Sequence, residues 1–509
     1  MNFFKGGKRS SYSIESKDDQ LHGKNLPELR FDAFLAEDSS SLNGILTHDL
    51  WVQSLSFEKR DHAWVSKISK PEIIDTDYRV YLEFFRDSTG VIVAIIQSNT
   101  ENRALHFTID QVLIDGNRID FKITNDRFSI SALHNQDDQT IQLSYGNSGG
   151  KREIALTKLP NSELEGYLPR TTTGKYHYQV PDPKGLGREV ASLDEVGIDR
   201  SMLGFMQKMN SRKFGPIHSL ISTKNRKLVF EEYFHGYDRN YLHDLRSAFK
   251  SIGSLALGRA MMKNKELSVK DTMLDFYPEY NITDELKKKI SIPHSLTRST
   301  GIQLEDEDKM QWEYEDWVGY KLNLPMKHAP GKVFEYSSEG SNLLTGVIEK
   351  SVTSYLPLFP YQELLLPMKI KEFLMLTSPK GRGYLAGSFY LRPVDLIKFG
   401  WLILDKEKWK GKQLIEEDWI EVSTMAHSKG NWPKNSDYGY LWRLLDREID
   451  GKQLRTIEAW GNGGQFLSIL PELDVTVTFT GGNYNLFPEM EERPFSILNE
   501  YIFPAIGLA

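Results

Sequence analysis

The sequence predicts two structural classes in series: an all-β domain, either a barrel or a sandwich, followed by a larger α+β domain. Short apolar runs recur at regular spacing over residues 46–160, and a stretch with prolines and glycines but no sustained period follows over 161–192. Over 193–509, strand patterns lie at both ends of a helical middle. Residues 1–45 are polar and serine-rich, so they are expected to form a tail or lead-in.

Short apolar runs define the strands of the first domain. They lie at 78–85, 90–97, 106–114, 118–123, 128–132, 140–145 and 151–156. The breaks between them carry turn-forming residues, as in Asp115-Gly116-Asn117 and in the glycine-rich stretch 146–150. Strands of this length and spacing are typical of a β-barrel or a β-sandwich, and 161–192 then serves as the linker to the next domain.

The second domain, 193–509, is predicted to be a single α+β unit. A hairpin is expected over 217–223 and 227–234, a second strand pair over 465–470 and 474–480, and a terminal helix over 490–502. Because strands lie at both ends of the segment, we expect one sheet to join those ends, with the helices packed around it.

Composition excludes several classes of function. A net charge of −7 with no clustered basic surface argues against a nucleic-acid partner. No apolar run approaches the length of a membrane span, and the N-terminus has no apolar stretch of the kind a secretory signal needs. The chain has no cysteine, which excludes disulfides, thiolate zinc sites and a cysteine nucleophile. No metal-ligand or phosphate-binding motif occurs, so neither metal nor cofactor is expected; compartment and oligomeric state stay open.

One short pattern points to chemistry: a serine followed three residues later by a lysine. It occurs at Ser56–Lys59, Ser148–Lys151 and Ser247–Lys250. Ser56 lies in a strand pattern, where residues three apart point to opposite faces. Ser148 also belongs to a Gly-x-Ser-x-Gly match, but another strand follows instead of the helix that a nucleophile elbow requires. We therefore interpret Ser148 as part of a hairpin loop and keep only the third match.

Ser247 precedes an apolar run that reads as a helix buried on most sides. Residues at i and i+3 of a helix share a face, so the Ser247 hydroxyl and the Lys250 amine can meet. A helix N-terminus favours a developing oxyanion, and burial of Lys250 lets its amine act as a base. The alternative is a helix-capping serine beside a lysine that reaches for solvent.

Tyr336 follows a Pro-Gly turn within 328–338. A phenol beside a lysine ammonium has a lowered pKa and can act as a general base, and Ser338 can relay a proton or bind substrate. Taken alone, Tyr336 also fits a half-buried core tyrosine.

A glycine-rich segment precedes the apolar strand at 465–470. Its Asn462-Gly463-Gly464-Gln465 sequence permits close approach of a backbone or ligand. A backbone N–H there, together with that of Ser247, would form an oxyanion hole. The alternative is a glycine-rich strand start without a catalytic role.

In their order and rough spacing, these three motifs resemble those of the penicillin-recognising serine hydrolases. The segment from about 193 to 505 is similar to the β-lactamase-related superfamily of class C β-lactamases, DD-peptidases and serine esterases. Further similarity lies at 228–237, 391–400 and 479–483. The resemblance implies an antiparallel sheet flanked by helices, as in β-lactamases and transpeptidases.

By the same resemblance, Ser247 is the nucleophile that forms an acyl-enzyme, and Lys250 and Tyr336 share the acid and base work. The backbone N–H groups of Ser247 and Gln465 are the oxyanion donors. The substrate-binding residues are Ser338, Asn462, Gly463 and Gly464.

Two departures from the family pattern bear on the substrate. The neutral Asn462-Gly463-Gly464 stands where β-lactam hydrolases commonly have lysine-threonine-glycine, which removes a charge-assisted contact worth a few kcal/mol. Ser338 stands where asparagine is common. An arginine from elsewhere would restore the missing charge. The sequence therefore favours hydrolysis of a small-molecule ester, an amide or a short peptide, with loops 296–327 and 376–390 setting substrate choice.

Two alternatives remain at this point. One is a DD-peptidase or β-lactamase that acts on peptidoglycan or penicillins. The other is a non-catalytic descendant that binds a ligand in the same cleft.

Overall fold

The computed structural model describes most of the C-terminal part of the chain and separate segments of the N-terminal part. The described residues are 2–5, 8–11, 30–35, 41–48, 50–60, 63–65, 81–86, 89–97, 106–109, 111–122, 129–147, 150–160, 176–209, 216–304, 306–406, 408–431, 433, 436–449, 451–484 and 487–506.

An antiparallel sheet of eight strands is the centre of the C-terminal domain. In spatial order its strands are Lys227–Tyr233, Ile217–Lys224, Val475–Gly481, Gln465–Leu470, Lys452–Gly461, Arg443–Ile449, Asp437–Tyr438 and Ser428–Lys429. Ile217–Lys224 pairs with Val475–Gly481, so the sheet joins the two ends of the segment as the sequence predicts. Both predicted strand pairs are confirmed to within a residue or two.

Helices cover both faces of this sheet. The α-helices of the domain are Phe205–Met209, Phe249–Lys263, Ile292–Leu296, Glu307–Glu313, Trp317–Asn323, Glu339–Val352, Leu358–Pro360, Pro393–Leu404, Glu417–Ser423, Glu489–Ile497 and Phe503–Ile506. Wider turns at Tyr361–Leu365 and Leu498–Ile502 extend two of them. The helices near the two ends of the domain pack on one face of the sheet, and the central helix, Phe249–Lys263, lies in the core on the other.

The central helix is buried on nearly all sides, as its apolar sequence predicts. Every residue from Phe249 to Ala260 is buried. Helix Glu339–Val352 packs beside it, strand Lys452–Gly461 of the sheet contacts it, and helix Pro393–Leu404 packs on the same sheet. The start of the central helix is therefore fixed from several directions, which matters for any side chain placed there.

The N-terminal region is rich in β-structure, as predicted, but its described strands form no closed sheet. Strands Tyr81–Arg86, Ile92–Gln97 and His106–Ile109 form one sheet. A second sheet follows chain order through Gln111–Asp115, Arg118–Lys122, Ser129–Asn135, Thr140–Asn147 and Gly150–Leu156. The two sheets share an apolar core that includes Ile96 and Leu143. Among the described residues, the outer strands of each sheet have a partner on one side only, so of the two predicted alternatives, a barrel or a sandwich, the barrel is not found.

Another part of the N-terminal region continues a small sheet of the C-terminal domain. The hairpin of Leu42–His48 and Trp51–Arg60 pairs with Leu374–Leu376, which leads to Phe389–Leu391 and His243–Asp244. Strands Asn2–Lys5, Lys8–Ser11 and Arg30–Leu35 extend this sheet outward, and Ala63–Val65 pairs with its hairpin. The sequence pattern did not predict this pairing, and the hairpin crosses the proposed boundary at residue 46. Residues 161–175 of the proposed linker lie outside the described residues.

The described residues at both rejected serine–lysine matches lie in β-structure. Ser56 and Lys59 are exposed on strand Trp51–Arg60. Ser148 itself lies outside the described residues, but the strands on either side pair through Asn147 and Gly150, so a hairpin and not a helix follows it. Within the described ranges, no helix is both long and apolar enough to cross a membrane.

Candidate active site

The turn that carries Ser247 is held between two strands. The 3₁₀ turn Arg246–Ala248 leads directly into the central helix. Arg246 has φ of +48°, a region that side chains rarely adopt. The buried Asp244 carboxylate stabilises it by accepting the Arg246 backbone N–H at 2.8 Å and pairing with the guanidinium at 3.0 Å. The strained residue before Ser247 is therefore fixed by a specific partner.

Lys250 lies one turn into the central helix and is only 2 % exposed. Its Nζ donates to Ser247 Oγ at 2.8 Å and to Ser338 Oγ at 3.0 Å. The lysine therefore does not reach for solvent, which removes the capping alternative for this pair. Its ammonium is held between two hydroxyl groups that can themselves exchange protons.

Tyr336 completes the group around Ser247. It lies in irregular chain before helix Glu339–Val352, and the Ser247 side chain is among the groups that lower the pKa of its phenol. Lys250 Nζ is 5.1 Å from the centre of the Tyr336 ring. Desolvation raises the pKa of the phenol, but the charges of Lys250, Arg298 and Arg443 outweigh it and lower the pKa of Tyr336 to about 7. A tyrosine of this pKa is ionised in part at neutral pH and can accept a proton.

Two arginines beside Tyr336 were missed by sequence reasoning. Arg298 and Arg443 place their guanidinium carbons 4.7 Å and 5.2 Å from the centre of the Tyr336 ring. Arg298 is 2 % exposed and is held by the Ser337 carbonyl and the Tyr438 hydroxyl. It lies within the 296–327 loop that the sequence assigned to substrate choice, but no local pattern directs its side chain toward Tyr336.

The glycine-rich segment closes onto the turn that carries Ser247. A Cβ on Gly461 would lie 2.2 Å from the Leu245 carbonyl oxygen and 3.1 Å from the Ala248 nitrogen. Only glycine permits this approach of the strand end. Gly461 is paired with Gln465, so the backbone of Gln465 starts the strand that faces the turn.

The Gln465 side chain has a structural role. It is fully buried, donates to the Gly481 carbonyl at 2.7 Å and accepts from the Gly481 N–H at 3.2 Å. These two bonds hold neighbouring strand ends together. The Gln465 side chain is thus committed to the strand ends, so the predicted oxyanion contact concerns the Gln465 backbone alone.

The other predicted substrate-binding residues differ in their surroundings. Ser338 is 9 % exposed and contacts Lys250, so it belongs to the cluster around Ser247. Asn462 is partly exposed. Gly463 and Gly464 are buried at φ of +95° and +92°, and the Tyr484 ring fills the space beside Gly463. The two glycines therefore form the tight turn that presents Asn462 and Gln465.

A glutamate, Glu307, also reaches this cluster and was not predicted. Its carboxylate accepts the Tyr384 hydroxyl at 2.8 Å, and the Ser338 side chain is among the groups that lower its pKa. Desolvation opposes its ionisation, but Lys250 and Lys321 hold the pKa of Glu307 below its usual value. Among the described residues, no three histidine, aspartate or glutamate side chains are grouped so as to hold a metal ion.

Comparison with known families decides the identity of this domain. The model of the Beta-lactamase family matches residues 218–494, more than half of the chain. The chain belongs to the beta-lactamase family. The resemblance drawn from the three motifs is thereby confirmed, and the matched segment contains every predicted site residue. The α+β domain is the beta-lactamase-like fold of these serine hydrolases.

Solved structures share the fold of this beta-lactamase-family protein. One is described as a 6-aminohexanoate-dimer hydrolase from Bacillus anthracis, with a TM-score of 0.51 and 15 % identity over 62 % of this chain and 86 % of that one. Another is EstCE1, a hydrolase with promiscuous acyltransferase activity, with a TM-score of 0.50 and 13 % identity over 60 % of this chain and 98 % of that one. At these identities the likeness concerns the fold alone. No curated protein matches the sequence at a significant level.

Proposed function

We propose that this protein is a serine hydrolase that cleaves an ester, an amide or a short peptide through an acyl-enzyme on Ser247. One observation carries the proposal: the Ser247 hydroxyl accepts a hydrogen bond from the buried Lys250 amine at 2.8 Å, and the Lys250 amine lies 5.1 Å from the centre of the Tyr336 ring. A serine hydroxyl is a weak nucleophile unless a neighbouring base removes its proton. Here two groups that can serve as that base lie close to the serine.

In the acylation step, the Tyr336 phenolate takes the Ser247 proton as Oγ attacks the substrate carbonyl carbon. The negative charge passes to the carbonyl oxygen, which the backbone N–H groups of Ser247 and Gln465 stabilise in this proposal. Tyr336 then returns the proton to the leaving alcohol or amine, and the acyl group stays on Ser247.

In the deacylation step, water attacks the ester on Ser247 and gives a proton to Tyr336. As the second tetrahedral intermediate collapses, Tyr336 returns this proton to Ser247 Oγ, which releases the acid and restores the Ser247 hydroxyl. Lys250 supports both steps because its charge, 5.1 Å from the Tyr336 ring, stabilises the phenolate.

The substrate class follows from the polarity around Asn462. With no lysine at 462–464, the glycine-rich segment offers a neutral surface to the substrate. Neutral esters and amides need no charge partner there. The hypothesis of a non-catalytic protein that only binds a ligand has less support, because a ligand site does not require a buried lysine placed beside a serine and a tyrosine.

A second candidate is a hydrolase for substrates that carry a carboxylate, such as penicillins or D-Ala-D-Ala peptides. Arg443 favours it, because this partly exposed cation lies beside Tyr336 and 4.4 Å from the Trp460 ring centre. Arginine recognises carboxylates through paired hydrogen bonds. It would replace the charge that is missing from the glycine-rich segment.

Parallel turnover assays separate the candidates. p-Nitrophenyl esters, a β-lactam and a D-Ala-D-Ala peptide are offered to the purified protein and to Ser247→Ala. Ester turnover that is lost in Ser247→Ala supports the first candidate. Turnover of the β-lactam or the D-Ala-D-Ala peptide, with a KM that rises in Arg443→Gln, supports the second. Absence of turnover and of any acyl adduct with all three substrates would leave only the binding protein.

A further inference from the structure

Arg246 directly precedes Ser247 and has no part in the acylation and deacylation steps, but its side chain reaches a second segment of the site. Its backbone lies in the 3₁₀ turn Arg246–Ala248, which carries the Ser247 N–H. Its side chain lies against Gly461, beside the glycine-rich segment that ends at Gln465. One residue thus contacts both segments from which the oxyanion donors come.

The first contact of the Arg246 side chain is with the end of strand Lys452–Gly461. A Cβ on Gly461 would lie 3.1 Å from the Cβ of Arg246, closer than the optimal separation of two carbon atoms. Gly461 is paired with Gln465 across the tight turn. The base of the Arg246 side chain therefore packs directly on the strand end opposite Gln465.

The second contact is with Tyr484, which follows strand Val475–Gly481 and is 8 % exposed. The Arg246 guanidinium carbon lies 4.8 Å from the centre of the Tyr484 ring, within the range of a cation–π contact. The same ring fills the space beside Gly463, where an added Cβ would lie 2.7 Å from a ring carbon. Tyr484 therefore contacts both the guanidinium and the turn at Gly463.

Asp244 fixes the direction in which the guanidinium points. The Asp244 side chain is 1 % exposed and lies 3.0 Å from Arg246 Nε, so this ion pair is shielded from water on the carboxylate side. The same carboxylate accepts the Arg246 backbone N–H at 2.8 Å. The guanidinium is thereby held by Asp244 and by Tyr484, and it links the turn before Ser247 to the segment before Gln465.

We propose that Arg246 is a positioning residue that keeps the two oxyanion donors, the backbone N–H groups of Ser247 and Gln465, directed at one oxygen atom. The inference rests on the proposed function and adds a residue to it. Such donors stabilise the transition state only when they are preorganised around the developing charge. Ser247 and Gln465 are more than two hundred positions apart, so no local structure fixes their separation. The contacts of Arg246 provide the missing connection.

The phosphorus NMR signal of a covalent adduct tests the proposal without turnover. In the adduct of a fluorophosphonate, Ser247 Oγ takes the place of the fluoride ion, and the phosphoryl oxygen occupies the position of the oxyanion. Its hydrogen bonds to the two N–H groups influence the phosphorus chemical shift. The signal should therefore move when either donor is displaced.

Arg246→Gly is the informative variant, because glycine accepts the positive φ of this position while the guanidinium is lost. The phosphorus signal should move from its position in the parent protein. For a p-nitrophenyl ester, kcat should fall by about 10–10²-fold. KM should stay close to that of the parent, because the lost contribution acts in the transition state.

Lys410→Gly is the matched control. Lys410 also has a positive φ, +51°, and is exposed in the turn between strands Lys408–Trp409 and Lys412–Gln413, which form a separate sheet. This variant should change neither the phosphorus signal nor kcat. If Arg246 served stability alone, Arg246→Gly would lower the number of sites that the fluorophosphonate labels but not kcat per labelled site.

A folded Arg246→Gly protein with the phosphorus signal and kcat of the parent would overturn the proposal, and so would a change in KM alone. If that variant does not fold, Tyr484→Leu removes the ring face from the guanidinium. It should lower kcat more than Tyr484→Phe, which keeps the ring, and equal kcat values would overturn the proposal. Failure of the parent protein to form any adduct would instead contradict the proposed function.

Discussion

Two buried lysines on different helices each follow a polar residue by three positions but have different partners. Lys250 follows Ser247 by three residues at the start of the central helix, and Lys398 follows Asp395 by three residues on helix Pro393–Leu404. They are 2 % and 0 % exposed. Lys250 Nζ donates to the hydroxyls of Ser247 and Ser338, while Lys398 Nζ lies 2.6 Å from an Asp395 carboxylate oxygen.

The comparison shows that burial alone does not make a lysine reactive. Burial lowers the pKa of Lys398, but the adjacent Asp395 carboxylate opposes this and the pair remains a closed ion pair. Lys250 contacts groups that can gain or lose a proton during a reaction. We therefore expect Lys250 to govern catalysis and Lys398 to govern stability, and the following predictions test that division.

The largest effect is expected for Lys250→Met. The substitution removes the cation that stabilises the Tyr336 phenolate, so kcat/KM should fall by about 10²–10⁴-fold. The free energy of unfolding should change little, because methionine fills the apolar part of the site. Ester turnover and urea denaturation measure the two quantities. Nearly full activity in the variant would remove Lys250 from the mechanism.

Lys398→Met should show the opposite behaviour. It leaves Asp395 buried beside Arg392 alone, and breaking a buried pair typically costs about 3–5 kcal/mol of unfolding free energy. The kcat of the folded fraction should stay within a factor of about two of the parent. Urea denaturation monitored by fluorescence gives the first value. A stable variant with low kcat would reverse the division between the two lysines.

The pH dependence of kcat/KM should distinguish an arginine beside Tyr336 from an arginine elsewhere. Tyr336 must be ionised to act as the base, so kcat/KM should fall as pH drops through its pKa of about 7. Arg443→Gln removes a charge that stabilises the phenolate, so this acid limb should move up by roughly one unit.

Two controls accompany that measurement. Burial raises the pKa of Glu491 to about 7 as well, against the opposing charge of Arg443, so Glu491→Gln should leave the acid limb in place if Tyr336 is responsible. Arg455→Gln, on the neighbouring strand and paired with Asp437, should have no effect. If the acid limb moves or disappears in Glu491→Gln, the titrating group is Glu491 and the assignment of the limb to Tyr336 is wrong.

The smallest effect is expected at the serine–lysine match that lies on a strand. Lys59 is exposed on strand Trp51–Arg60 and cannot reach the side chain of Ser56 across the strand. Lys59→Met should change kcat/KM by less than about twofold and stability by less than about 0.5 kcal/mol. A marked loss of activity in Lys59→Met would contradict the argument that a serine–lysine pair needs helical geometry to take part in catalysis.

Local sequence patterns predicted that the side chains of Ser247 and Lys250 lie together, as the structure shows. Ser247 and Lys250 lie one helical turn apart, so their spacing alone brings them together once the helix forms. Tyr336 was singled out because it follows a Pro-Gly turn, and Gln465 because it follows a glycine-rich segment at the start of a strand. The sheet that joins the ends of the C-terminal domain followed from strand patterns at both ends.

The remaining features depend on contacts between distant segments. Arg298, Arg443 and Glu307 reach the site from separate loops and strands, and nothing in their neighbouring residues indicates where their side chains point. The pairing of Trp51–Arg60 with Leu374–Leu376 joins residues more than three hundred positions apart. Alternating apolar patterns predict a strand but not its partner, which is also why the sequence left a barrel and a sandwich as equal alternatives for the N-terminal region.

Covalent labelling of Ser247 tests the central claim most directly. A fluorophosphonate carries its own leaving group and reports on the activated serine whatever the natural substrate. The account predicts one adduct per chain, located at Ser247 by peptide mass mapping, absent from Ser247→Ala and strongly slowed in Lys250→Met but not in Lys398→Met. An intact, folded protein that forms no adduct, or forms it at another residue, would contradict the assignment of Ser247 as the nucleophile.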